Sequence, residues 1–162
     1  MMKAVYPIVA KPRMQKARFK SSARNQYSGQ VMFMVTEGEL VHTRLQLPSG
    51  YVIQALLTRA SAEAMALKVG GVVSALFKAA SVELLLDPHL ELEISNQWWG
   101  EVTHIVEGNV RDEVTLRIAP EVEITALVNA DFCRQQHLYK GDAACAVFSA
   151  SSVILLTLAW ED

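Results

Sequence analysis

Two cations and three hydroxyls distinguish one half of this chain from an otherwise similar second half. Ser22, Arg24, Thr58, Ser61 and Lys78 lie in the first half. The positions 71 residues later hold Glu93, Ser95, Asn129, Phe132 and Ser149. Arginine offers a planar fork of donors, lysine a point charge, and serine and threonine single donors. Grouped together, such residues would surround a small oxyanion. The competing explanation is drift, because exposed positions vary more than packed ones.

The comparison rests on an internal repeat. Ser22-Ala23-Arg24-Asn25-Gln26-Tyr27-Ser28-Gly29 is echoed by Glu93-Ile94-Ser95-Asn96-Gln97-Trp98-Trp99-Gly100. Ala75-Leu76-Phe77-Lys78-Ala79-Ala80-Ser81-Val82 is echoed by Ala146-Val147-Phe148-Ser149-Ala150-Ser151-Ser152-Val153. Apolar and glycine positions persist at the same offset, among them Ala55/Ala126, Leu56/Leu127 and Gly70/Gly141. A repeat constrains the architecture before any other feature does. Two copies of about 70 residues sit near the lower limit for independent folding, so they are expected to pack on each other or on a second chain.

Other chemistry is sparse. His42, His89, His104 and His137 have no metal-ligand spacing. Asp112 and Glu113 are neighbours on a strand and point to opposite faces. No phosphate loop or nucleophile elbow occurs, so no enzymatic activity is expected. Cys133 and Cys145 lack partners at metal-ligand spacing, which suggests buried free thiols in a reducing cytoplasm. The start of the chain lacks the apolar core of a signal peptide. The uncharged run Ala143 to Trp160 carries serines and threonine and aligns with a charged segment, so buried strands are expected there rather than a membrane span.

The net charge is -2, which argues against a general nucleic-acid binder. The cations Lys3, Lys11, Arg13, Lys16, Arg18, Lys20 and Arg24 all precede the first acid, Glu37. Residues 1–20 therefore read as a basic arm, solvated or in contact with an anion or a nucleic-acid backbone. Trp98 and Trp99 offer a stacking platform for bases or a packed aromatic pair.

The elements that would position the polar set are short strands. Val41, Thr43, Leu45 and Leu47 alternate with polar residues, the period of a half-buried strand. Strands are expected over 30–35, 41–47, 51–58, 72–78 and 82–86. A helix capped by Ser61 is expected to run through Lys68 and end at Gly70-Gly71. The second copy repeats the plan, with strands near 101–106, 112–118, 121–128, 143–149 and 152–158 and a helix near 131–138. The fold class is all-β with one short helix per repeat: two tandem OB-like small β-barrels. The domains are an arm at 1–20 and barrels at 21–87 and 88–162.

Ser22-Ala23-Arg24-Asn25-Gln26-x-x-Gly29-x-Val31, with Thr58-x-x-Ser61 and Lys78-Ala79-x-x-Val82, resembles the molbindin or TOBE (Mop) family of molybdate-binding domains. The tandem is most similar to the ligand-sensing half of the molybdate-responsive transcriptional regulators. The resemblance implies molybdate or tungstate as ligand, no cofactor, and Ser22, Arg24, Thr58, Ser61, Lys78 and Ala79 as oxyanion contacts, Ala79 through its backbone N–H. It also implies binding where subunits meet, in a homodimer or alternatively a trimer. The second copy lacks the Ser-Ala-Arg and the Lys, so a second site of the same kind is not expected. About 20 residues precede the first barrel, too few for a winged-helix domain, so DNA binding by this chain is not expected. The expected function is cytoplasmic oxyanion binding for molybdenum homeostasis, storage or sensing. The alternative is a regulatory module whose separate partner touches DNA or a transporter.

Micromolar affinity requires about 8 kcal/mol. Charged hydrogen bonds contribute roughly 1.5–3 kcal/mol each, so about four to six of them, less the cost of association, reach that range. The first copy alone carries that many donors.

Overall fold

The computed structural model describes residues 20–157. The basic arm, apart from Lys20, and the end of the strand expected over 152–158 lie outside the described residues.

The first copy contains β1 (Asn25–Glu37), β2 (Leu40–Gln46), β3 (Val52–Thr58), α1 (Arg59–Ala64), β4 (Val72–Phe77), a 3-10 turn (Ala79–Ser81) and β5 (Glu83–Leu85). The second contains β6 (Asn96–Val106), β7 (Arg111–Ala119), β8 (Val122–Asn129), α2 (Ala130–Gln135), β9 (Ala143–Phe148), a 3-10 turn (Ala150–Ser152) and β10 (Ile154–Leu156). In β2 the alternation holds, with Val41, Thr43 and Leu45 facing inward.

β1 begins five residues before the expected start. Its first part, from Asn25 to Gln30, pairs with β4, and the remainder pairs with β2 across a bulge between Val31 and Phe33. Near this bend Gly29 passes close to β2. A Cβ at Gly29 would stand 2.9 Å from the Gln46 carbonyl oxygen, and one at Gly100 2.5 Å from that of Arg117. Both glycines are therefore required by close approach.

The helix expected from Ser61 to Lys68 is displaced and shortened. Thr58 is the N-cap, accepting from the Ser61 N–H. The helix stops at Ala64, and Ala66 takes a left-handed conformation with φ 49°.

All strand pairings are antiparallel, and the two sheets exchange strands. One sheet has the order β10-β4-β1-β2-β3, the other β5-β9-β6-β7-β8. β10 of the second copy pairs with β4 of the first through Ile154–Leu76 and Leu155–Ala75. β5 of the first copy reciprocates, pairing Leu84 with Ala146 and Leu85 with Cys145. The fold is all-β with two OB-like units, but each ladder is open between its end strands rather than closed. Each sheet also takes its fifth strand from the other copy. A 3-10 turn precedes each exchanged strand and redirects the chain.

One core spans both copies. Val31, Leu45, Ile53 and Phe77 are continuous with Val102, Leu116, Ile124 and Phe148. Phe77 and Phe148, equivalent in the repeat, stack with centroids 4.3 Å apart. Tyr27 and Trp98, also equivalent, meet edge to face at 5.6 Å. Polar ties cross the same junction. The Asn25 amide donates to the Thr125 carbonyl and its oxygen accepts from the Thr125 N–H, while Asn96 does the same with Gln54. Trp98 is buried, whereas Trp99 is 39% exposed, so the pair is divided between core and surface as strand alternation requires.

Candidate functional site

The junction between copies brings part of the first-copy set together. Lys78 is extended at the mouth of the Ala79–Ser81 turn, exposed, with Ala79 buried behind it. The turn is closed by Ser81 N–H donating to the Lys78 carbonyl and Val82 N–H to that of Ala79. The Ala79 N–H precedes the first of these bonds, so the turn itself does not use it. Ser22 lies just before β1, where the Gln26 amide donates to the Ala23 carbonyl and holds the approach to the strand.

Ser22 and Lys78 line one cleft of about 570 Å3. Ala23 and Ser81 also line it, and Ser152 and Ile154 of the second copy form its far wall. The strand exchange explains this composition, because β10 runs alongside β4 and so reaches the Lys78 turn.

The other expected contacts stand elsewhere. Arg24 does not line the cleft; its Nη1 meets Glu113 Oε1 of β7 at 2.5 Å. Thr58 donates through Oγ1 to Ser61 Oγ at 2.9 Å, at the start of α1. The Ala79–Ser81 turn packs against β8, while β3, which ends at Thr58, packs against the Ala150–Ser152 turn. Within one chain the set therefore falls into three parts: Ser22 with Lys78 and Ala79, Arg24 on Glu113, and Thr58 with Ser61.

The equivalent second-copy positions keep the helix cap but not the cations. Asn129 caps α2 by accepting from Asp131 N–H at 2.9 Å. The Ser149 and Ser151 hydroxyls bond each other at 2.8 Å. Ser95 Oγ accepts from the Ala150 N–H at 3.4 Å. No cation replaces Arg24 or Lys78 at these positions.

Sequence reasoning missed Glu113 and the β10 wall. Both depend on contacts between copies, which the repeat offset does not encode. Glu113 did carry one signal: its first-copy counterpart is His42, so the carboxylate, like Arg24, occurs once.

A second cleft of about 590 Å3 opens beside α2, lined by His104, Asp112, Cys133 and His137 among others. Asp112 accepts from Gly108 N–H at 3.0 Å. Burial, and secondarily Asp112, pushes the Cys133 thiol up to about 11. Among the described residues no group of three or more His, Cys, Asp and Glu could hold a metal. No helix among them is long and apolar enough to cross a membrane.

Comparison with known proteins places these features. The TOBE domain model matches residues 21–84 and again 92–155. The chain is 44% identical over 142 residues to the molybdenum transport protein ModE of Azotobacter vinelandii, covering 88% of this chain and 53% of that protein. It is 31% identical to the transcriptional regulator ModE of Yersinia pestis, covering 86% of this chain and 53% of that protein. It is 30% identical to the molybdenum-pterin-binding protein MopB of Rhodobacter capsulatus, covering 84% of this chain and 51% of that protein. The chain thus spans about half the length of the curated relatives it matches. Among solved structures, the cytoplasmic molybdate-binding protein ModG, crystallised with molybdate bound, superposes with a TM-score of 0.81 at 34% identity. That match covers 85% of this chain and 98% of ModG.

Proposed function

This chain belongs to the TOBE-domain family, and on that premise we propose that it binds molybdate or tungstate reversibly and catalyses nothing. One observation carries the reading: Ser22 and Lys78 share a cleft beside the Ala79 turn, while the second copy keeps the scaffold without the cations. Arg24 and Lys78 supply two positive charges, matching a tetrahedral dianion. Ser22 and the Ala79 N–H orient it.

Thr58 and Ser61 stand apart from Lys78 within the chain. They complete the set when a second chain supplies them, which makes the protein a homodimer with its sites at the subunit interface. A separate reading, a sensing module acting on a partner protein, is favoured by the likeness to the regulator ModE, of which the chain spans half.

Thermal-shift titration with molybdate, tungstate and sulfate tests the oxyanion reading. Molybdate and tungstate should raise the melting temperature more than sulfate does. No shift with molybdate, or an equal one with sulfate, contradicts it. Light scattering with and without molybdate tests the dimer, and a monomer in both states rules it out.

A further inference from the structure

Among the described residues, Arg24 is the one member of the expected oxyanion set that a carboxylate holds. Its Nη1 lies 2.5 Å from Glu113 Oε1, and the two side chains are 58% and 29% exposed. Ser22 and Ala23, just before it, line the cleft, but Arg24 does not. Glu113 is fixed on β7, which pairs on one side with Val106 of β6 and on the other with Leu127 of β8. The guanidinium is thus anchored to a rigid part of the second copy.

The pair occurs once. The mirror-related positions hold Ser95 and His42, with neither guanidinium nor carboxylate. The carboxylate therefore stands only against the half-site that carries the cations.

We propose that Glu113 is a built-in competitor that sets the oxyanion affinity by occupying Arg24 in the empty protein. The inference rests on the oxyanion reading and names a regulator of that same site. A carboxylate carries one negative charge and the oxyanion two, so exchange of Arg24 from Glu113 to the ligand is favourable at close range. Glu113 opposes binding in two ways: it must give up the guanidinium, and its charge repels the dianion. Both effects have the same sign. The two side chains are partly solvated, so the effect is modest.

The test is isothermal titration of the full chain with sodium molybdate at low salt. Glu113→Gln keeps the size and acceptor of the side chain and removes the charge. It should bind about two- to fivefold more tightly than wild type. Glu101→Gln makes the same change in net charge at a pair with Arg117 outside the cleft, and should bind as wild type does. With Arg24 already changed to alanine, Glu113→Gln should lose most of its gain, a dependence that a purely structural role would not produce. Glu113→Gln binding no more tightly than wild type, while Arg24→Ala is weakened, overturns the proposal. An equal gain in Glu101→Gln also overturns it. If Arg24→Ala binds as wild type does, the assignment of Arg24 to the oxyanion set fails, and the competitor with it.

Discussion

Phe148 tests whether the two copies form one folding unit. It is 1% exposed, stacks on Phe77 at 4.3 Å, and meets Trp98 edge to face at 5.4 Å. Phe148→Ala removes a buried aromatic ring where both sheets meet, and flanking β-strand backbone cannot collapse into the space. Such truncations cost about 3–5 kcal/mol. At roughly 2–4 °C per kcal/mol for a chain of this size, the melting temperature should fall by about 6–20 °C. The shared core and the exchanged β5 and β10 require the whole transition to move together. Differential scanning calorimetry should therefore show one peak for wild type and one, shifted, for the variant. Two peaks of which only one moves would refute the single core.

Gly100→Ala places a Cβ 2.5 Å from the Arg117 carbonyl oxygen and should cost about 1–3 kcal/mol, read as a lower midpoint in urea. Cys133 and Cys145 are buried and their thiols rise from 9.0 to about 11, so neither should react with Ellman's reagent at pH 8 until the protein is denatured. Because these folded-state values are raised, the unfolded thiols ionise first as pH increases. Their contribution to stability is full below pH 9.0 and should be lost towards pH 11, with Tyr27, also raised by burial, adding to the loss above pH 10.0. Fast thiol labelling of folded protein, or a melting temperature unchanged between pH 8 and 11, would show that these groups are not buried as described.

Much of the scaffold was legible because burial leaves a periodic record. The alternation in β2, the paired glycines and the Asn25/Asn96 equivalence all follow from local constraint or the repeat. The strand exchange was not legible, because a 71-residue offset is the same whether β5 and β10 pair within their own copy or across. The helix start was misplaced because Thr58 and Ser61 are both capping residue types, and only geometry shows Thr58 Oγ1 accepting from Ser61 N–H. The five candidate oxyanion side chains, Ser22, Arg24, Thr58, Ser61 and Lys78, could be proposed from the difference between copies. Their grouping could not, since Arg24 and Glu113 come from different copies and the register that joins them is tertiary.

The most direct measurement is molybdate titration of Lys78→Ala beside Ser149→Ala, the same position in the two copies. Both side chains are exposed, so neither change should unfold the protein. Loss of one charged hydrogen bond, about 1.5–3 kcal/mol, should weaken Lys78→Ala by roughly 10- to 150-fold. Ser149→Ala should bind as wild type does. Undiminished binding by Lys78→Ala, or an equal loss in Ser149→Ala, would contradict the claim that the first copy carries the oxyanion site.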